Sequence, residues 1–417
     1  VLGLPFIDLQ GFHPGPQALI VCLATAIILA SKQRELPGIK SIGILYIGAI
    51  SYSLYLVHWP LFAFYNNLTF SSPWGDRIDA LIRVALIILS FMAAALLHRF
   101  VEERFRHGAH LGIKVLLPAG VIISALVAIL FVPHIMHGGS VEVRTASESK
   151  VCETTGSFSM ESACTSGSNP RILVWGDSYA MHLVHGLADG RSSLEVGIVH
   201  ATRSACGPFI GFAQTKTEGG YNQRWAESCI RFNDSVLAAL SESESVEVVV
   251  ISSSFSYLID NPEGIFTRRS SGSELTWQPA SMDLAIQAIS HTIEQLRRMG
   301  KRVVIVAPPP SGGFDMGRCG RRLVQGLPNV GVEQSCRFEQ GSAEARRYGT
   351  MQLLTAVSQR HNVEVIDFGY LTCSNLFCES VADGIPLYVD GGHLSTEGSV
   401  WIASQLDLRK SVWDLAR

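Results

Sequence analysis

Trp175-Gly176-Asp177-Ser178-Tyr179-Ala180 joins an apolar run to a stretch of helical spacing, so Ser178 falls at a helix start. Backbone N–H groups there favour developing negative charge, and Gly176 permits a tight turn. A serine hydroxyl is a weak nucleophile until a base takes its proton. That base in turn needs a third group to hold its tautomer and stabilise its charged form. Asp390-Gly391-Gly392-His393-Leu394-Ser395, ahead of a helix expected over residues 396–406, can supply both. Its two glycines let the backbone turn so that the carboxylate meets one ring nitrogen while the other faces the serine. Each segment also has a plainer reading: Asp177 or Ser178 as an N-cap, and His393, one of thirteen histidines, as an incidental residue of a surface loop.

Periodicity indicates what must position these groups. Residues 172–175, 194–199, 246–252, 303–307 and 363–366 are apolar runs of strand length, and 282–299 and 343–359 carry apolar residues at three- and four-residue steps. The alternation predicts a mostly parallel sheet with helices on both faces, a three-layer α/β/α domain. Ligands of such sheets bind beyond the carboxyl ends of the strands, which is where Ser178 lies. Ala307-Pro308-Pro309-Pro310 reads as a rigid exit walling the site.

A mean hydropathy of +0.25 averages two unlike regions. Residues 16–30, 42–65, 80–97 and 115–132 are apolar runs approaching the ~20 residues that span a bilayer. We therefore expect transmembrane helices over 1–133, a Ser/Thr/Glu-rich linker over 134–169, and an extracytoplasmic domain over 170–417. Lys32, Arg34 and Lys40 follow the first run and Arg99, Arg104, Arg106 and Lys114 the third, whereas 66–79 holds only Arg77. Positive residues stay inside, so the fourth run delivers the large domain outside. The cysteines agree: eight follow Val151, in the close pairs Cys152/Cys164, Cys206/Cys229, Cys319/Cys336 and Cys373/Cys378. That suits disulfides in an oxidising compartment, the last pair stapling the loop toward Asp390. A reduced or metal-binding set is the other reading, although no C-x-x-C is matched by a second C-x-x-C or an H-x-x-x-H. Net charge −3 sets nucleic acid aside as a partner. The start at Val1 lacks a signal-peptide pattern, and we expect the front of the chain to be missing.

Within the apolar half, Ser51-Tyr52-Ser53-Leu54-Tyr55-Leu56-Val57-His58-Trp59-Pro60 places polar groups where they are costly and usually face a cavity. Tyr55, His58 and Trp59 read either as a site lining or as an interfacial aromatic belt in which Pro60 kinks or ends the helix. Glu102 reads as a membrane-domain site residue or, with Glu103, Arg99 and Arg104, as part of a solvated charge cluster.

SYSLYLVHWP, followed one helix later by HRFVEERFR, resembles the closing helices of the acyltransferase-3 family. The resemblance covers about the first third of the chain. It implies an acyl group taken from a cytoplasmic donor, an acyl-CoA and typically acetyl-CoA, and passed across the membrane. The family's donor-side histidine and arginines have no counterpart here.

G-D-S-x-A and D-x-x-H-L-S together resemble the first and last blocks of the SGNH hydrolases, over about residues 171–406. The resemblance implies Ser178 as nucleophile, His393 as general base and acid, and Asp390 as the orienting acid, with no bound cofactor or metal. In the oxyanion hole, the backbone N–H of Ser178 is joined by Gly207 and Ser254. The chain departs from the family here: after the third strand it reads Ile251-Ser252-Ser253-Ser254-Phe255-Ser256 without asparagine, and Gly207 also reads as a turn before Pro208. Both resemblances in one chain match fused enzymes that O-acetylate lipopolysaccharide O-antigen, peptidoglycan or exopolysaccharide. The expectation is a multi-pass protein of a bacterial inner membrane, with a surface glycan as acceptor. A glycan O-acetyl esterase and a non-catalytic glycan-binding module are the alternatives. No motif names the glycan, the acyl chain or an oligomeric state.

Overall fold

Val248-Val249-Val250-Ile251 and Val303-Val304-Ile305-Val306 are β-branched runs without a polar side chain, the pattern of strands buried on both faces. The computed structural model describes residues 42–69, 76–103, 156–160, 165–167, 169–216, 220–268, 274–327, 329–330, 335–374 and 376–417, with helical positions at 22, 23 and 26. Contacts divide the chain into two units, Val1–Phe62 with Val84–His110 and Ala63–Arg83 with Leu111–Arg417.

The second unit is built on strands β1 (Thr165–Ser166), β2 (Pro170–Gly176), β3 (Gly197–Thr202), β4 (Phe212–Gln214), β5 (Val248–Ser252), β6 (Ile265–Arg268), β7 (Leu275–Gln278), β8 (Arg302–Val306) and β9 (Val365–Ile366). A six-stranded sheet runs β1-β3-β2-β5-β8-β9. Its pairings are parallel except β1 with β3, so the sheet is mixed. Side chains alternate between faces. Leu173, Trp175, Val249, Ile251, Val303 and Ile305 enter one core, and Ile172, Val174, Val248, Val250, Val304 and Val306 the other. Each such burial stabilises by about 1.5–3 kcal/mol, which makes the central strands a rigid floor. A separate antiparallel sheet, β4-β6-β7, lies outside it.

Helices of this unit include α4 (Ser178–Ala188), α5 (Gln223–Glu242), α6 (Met282–Arg298), α7 (Met316–Val324), α8 (Gln340–His361), α9 (Thr396–Leu406) and α10 (Leu408–Leu415). α5 and α6 pack on the first core, and α4 and α9 on the second. The close approach of α4 and α9 depends on Gly186, where a Cβ would lie 2.4 Å from the Ser399 carbonyl oxygen.

The expected linker is partly structured. β1 falls inside it, and Phe158 is buried in the first core with its N–H on Ser235 Oγ at 2.7 Å. Two-residue strands and single anchors leave no periodic signal, which is why composition alone read this stretch as a linker.

Cys206–Cys229, Cys319–Cys336 and Cys373–Cys378 are disulfides, paired as expected. Cys152 and Cys164 lie outside the described residues.

In the apolar region, α1 (Ile42–Ala49) and α2 (Ser51–Leu68) divide the run expected over 42–65, and α3 is Asp76–Leu97. The helical ladder continues through Ile50, whose N–H reaches the Tyr46 carbonyl at 3.0 Å and whose own carbonyl accepts from Leu54 at 2.8 Å. α2 runs past Pro60. Among the described residues, one helix, Arg77–Glu102, is long and apolar enough to cross a membrane. The expected spans over 16–30 and 115–132 fall outside the described residues, apart from those three helical positions.

Candidate active site

Gly176 ends β2 so close to β5 that a Cβ would stand 1.8 Å from the Ser252 carbonyl oxygen and 2.8 Å from Ala180 Cβ. The chain then turns into α4. Asp177 takes the N-cap role, its Oδ1 accepting the Tyr179 N–H at 2.9 Å, which leaves Ser178 as the first helical residue with its hydroxyl uncommitted to capping. Asp177 Oδ2 accepts Ser253 Oγ at 2.5 Å and the Ser254 N–H at 3.4 Å, tying the loop after β5 to the helix start. Burial raises the Asp177 pKa, with the bonds from Ser253, Tyr179 and Ser254 pulling the other way.

The structure brings Ser178, His393 and Asp390 together across 215 residues of sequence. Ser178 Oγ lies 2.8 Å from His393 Nε2, and His393 Nδ1 lies 2.8 Å from Asp390 Oδ2. With a carboxylate on Nδ1, the ring proton sits there and Nε2 accepts from the serine. Asp390 Oδ1 meanwhile accepts the N–H groups of Gly392 at 2.8 Å and His393 at 2.7 Å. Partial burial pushes the Asp390 pKa up, but the bonds from the His393 side chain and these amides outweigh it and bring it down to about 2. The aspartate is therefore ionised wherever the histidine works as a base.

Two further residues belong to this arrangement that sequence reasoning did not single out. The Tyr179 ring lies against His393, centroids 4.6 Å apart, and burial lifts its phenol to about 12. His182 is fully buried, and its Nδ1 accepts the Leu394 N–H at 3.2 Å. Burial, with the His393 charge adding to it, holds the His182 pKa well below the usual imidazole value. A signal was present: His182 is four residues after Ser178, hence on the same helix face.

Of the expected oxyanion donors, Ser178 and Ser254 line a pocket of about 710 Å³. The N–H of Ser254 is engaged by Asp177, so its hydroxyl is the group available to a ligand. Phe255, next in the loop, adopts φ +55° and is fully buried against Phe209, which fixes the backbone in an unfavourable conformation. Gly207 is placed elsewhere. Its carbonyl accepts from Asn233 at 2.8 Å and its amide is directed at the Tyr257 hydroxyl, where a Cβ would come within 2.0 Å. Glycine is required there for packing under Tyr257, and the pocket wall does not include it.

In the apolar region, Tyr55 and Trp59 are exposed on α2 and His58 Nδ1 lies 2.9 Å from the Leu54 carbonyl. Glu102 Oε2 accepts from Ser53 Oγ at 3.0 Å and lies 2.9 Å from His98 Nδ1. A π-helical turn, His98–Glu102, carries both the histidine and the acid. Arg99 pairs with Glu103 at 3.2 Å, as part of the expected charge cluster, while Arg104 lies outside the described residues. No group of three or more potential metal ligands occurs among them.

A serine, histidine and aspartate in line at the carboxyl edge of a mostly parallel sheet, with the serine at a helix N-terminus, define a serine hydrolase or acyltransferase type of site. Residues 151–407 match the family described as "SGNH domain (fused to AT3 domains)", and the chain belongs to this family. No curated protein sequence matches the chain. Among solved structures it is similar to the lipopolysaccharide acetyltransferase periplasmic domain of Salmonella ser. Paratyphi A, at 17% identity and TM-score 0.42, over 66% of this chain and 99% of that one. It is also similar to an aryl esterase of M. Smegmatis, at 14% identity and TM-score 0.32, over 59% and 99%. A GDSL-like lipase of Bacteroides thetaiotaomicron matches at 14% identity and TM-score 0.28, over 59% and 89%.

Proposed function

We propose that the chain is an O-acyltransferase, acetyl being the expected acyl group, that esterifies hydroxyls of a cell-surface glycan through an acyl-enzyme on Ser178. The observation that carries this reading is the 2.8 Å contact of Ser178 Oγ with His393 Nε2, backed by the 2.8 Å contact of His393 Nδ1 with Asp390. Ser178 Oγ attacks the acyl carbonyl as its proton passes to His393 Nε2. The Ser178 N–H at the start of α4 and the Ser254 hydroxyl stand by the developing oxyanion. The leaving group takes the proton from His393. A glycan hydroxyl then repeats the sequence in reverse, giving its proton to His393 and receiving the acyl group.

The family description, with its fusion to AT3 domains, supports a membrane origin for the acyl group, and the apolar helix Arg77–Glu102 is consistent with it. On this reading residues 1–133 belong to a multi-pass membrane domain of a bacterial inner membrane, supplied by acyl-CoA from the cytoplasmic side. The SGNH domain, over 170–417 with 134–169 leading into it, then works in the periplasm or outside the cell. Cells carrying Ser178→Ala are expected to lose ester groups from their surface glycan at unchanged abundance of the protein in the membrane. Unaltered glycan acylation would refute the reading.

A second reading has water as acceptor, making the chain a glycan O-acetyl esterase. The side chains of His393 and Asp390 are 31% and 52% exposed, which leaves water a path to the base. The ratio of acyl-glycan to free acid formed from one donor separates the two.

A further inference from the structure

The pocket that reaches Ser178 is far larger than an acetyl group requires, and its remaining wall is of a particular kind. It is formed by the turn after β3, by Lys216 and Tyr221, which pair in an antiparallel bridge, and by the loop between β5 and β6. Lys216, Asp260 and Glu263 bring charges of both signs, with the acidic ones in excess. A pocket so poor in aliphatic side chains does not suit a long acyl chain, and its acidic excess disfavours a phosphate-rich ligand.

Within this wall Tyr221 is an aromatic side chain held from behind. Its ring meets Trp225 edge-on, centroids 4.8 Å apart at 66°. Trp225 is fixed in turn by the Asn222 cap, whose Oδ1 accepts the Trp225 N–H at 3.1 Å, and by Arg203, 6.0 Å from the indole and bonded to Ser228 of the same helix. Asn261 ties the opposing loops, donating to the Thr215 carbonyl at 2.9 Å and the Gly264 carbonyl at 2.8 Å. A braced ring that shares one pocket with charged hydrogen-bonding groups matches a pyranose. The negative ring face meets the partly positive C–H face of the sugar, while the hydroxyls turn to Lys216, Asp260 and Glu263.

We propose that Tyr221 is the stacking platform of an acceptor subsite for an uncharged pyranose. The inference rests on the transferase reading above and specifies which wall holds the acceptor. The bound sugar hydroxyl attacks the acyl carbon on Ser178. As the new ester C–O bond forms, the bond from acyl carbon to Ser178 Oγ breaks, and the sugar's proton passes through His393 Nε2 to Ser178 Oγ.

The test uses the full chain in detergent with p-nitrophenyl acetate as acyl source and a panel of methyl pyranosides competing with glycerol as acceptors. Acyl pyranoside, acyl glycerol and free acetate are counted by mass spectrometry. Tyr221→Ala is expected to lower the preference for pyranoside over glycerol by about tenfold, the scale of one lost aromatic contact. Tyr221→Phe, which keeps the ring, is expected to retain it. A wild-type preference in Tyr221→Ala would overturn the subsite while leaving acyl transfer from Ser178 intact. Free acetate as the sole product of the wild-type chain would overturn the transferase reading, and the subsite with it. Saturation-transfer NMR of the same pyranosides on the Ser178→Ala chain gives a second readout, and equal signals with and without the Tyr221 ring would sink the proposal independently of turnover.

Discussion

His182 Nδ1 accepts the backbone N–H of Leu394 at 3.2 Å, so the helix that carries Ser178 also grips the residue next to His393. Nucleophile and base are thereby held to one another by a bond that takes no part in proton transfer. The acceptor role requires a neutral ring, and burial supplies it by depressing the His182 pKa.

His182→Ala should leave the Leu394 N–H buried without a partner, a loss of about 1–3 kcal/mol, and loosen His393 relative to Ser178. We expect kcat for p-nitrophenyl acetate to fall by about tenfold or more with little change in KM, because misplacing a base by a fraction of an ångström acts on the transition state. His182→Asn, whose side-chain oxygen can replace Nδ1 as acceptor, should recover much of kcat. Equal kcat in wild type and His182→Ala would remove the positioning role.

Asp390 titrates lower in the folded chain than in the unfolded one, from the ordinary 3.8 to about 2. A depressed carboxylate stabilises fully above its unfolded pKa and loses that contribution as pH falls through the folded one. The Tm advantage of wild type over Asp390→Asn should thus be constant above about pH 5 and shrink between pH 4 and pH 2. A gap that stays constant to pH 2 in calorimetry would show that the hydrogen bonds to Asp390 do not favour its charge.

The Cys206–Cys229 disulfide closes a 23-residue separation and joins the turn after β3, whose Ser204 and Ala205 line the pocket, to α5. Cross-linking a loop of this size stabilises by about 3 kcal/mol. Replacing both cysteines by serine should lower the urea midpoint accordingly, and reducing agent should then have less effect on that midpoint than it has on wild type. An unchanged midpoint would mean the loop is held by its packing alone.

The central strands and the helices around the site were legible because their signals are local. β-branched runs such as 248–251 have one reading when both faces are buried, and the helix expected over 396–406 is observed at Thr396–Leu406. Ser178, Asp390 and His393 became candidates through turn glycines and spacing within short segments, and their roles came from the resemblance of those segments to the SGNH blocks. What spacing could not supply was the meeting of those segments, because hydrogen-bond reach between residues 215 apart depends on how α4 and α9 pack against each other on one face of the sheet.

The same limit explains the differences. Gly207 sits in a segment that composition would allow to line the pocket, yet its amide faces Tyr257, a residue fifty positions on. Glu102, expected beside arginines of its own segment, also meets Ser53, 49 residues away, and His98 within one π-helical turn. By itself the sequence determined which chemistry the chain can attempt, for side-chain type and local backbone freedom are properties of a few adjacent residues. Tertiary structure decided which groups carry it out together, because distances and burial are set by contacts between segments that no local pattern encodes.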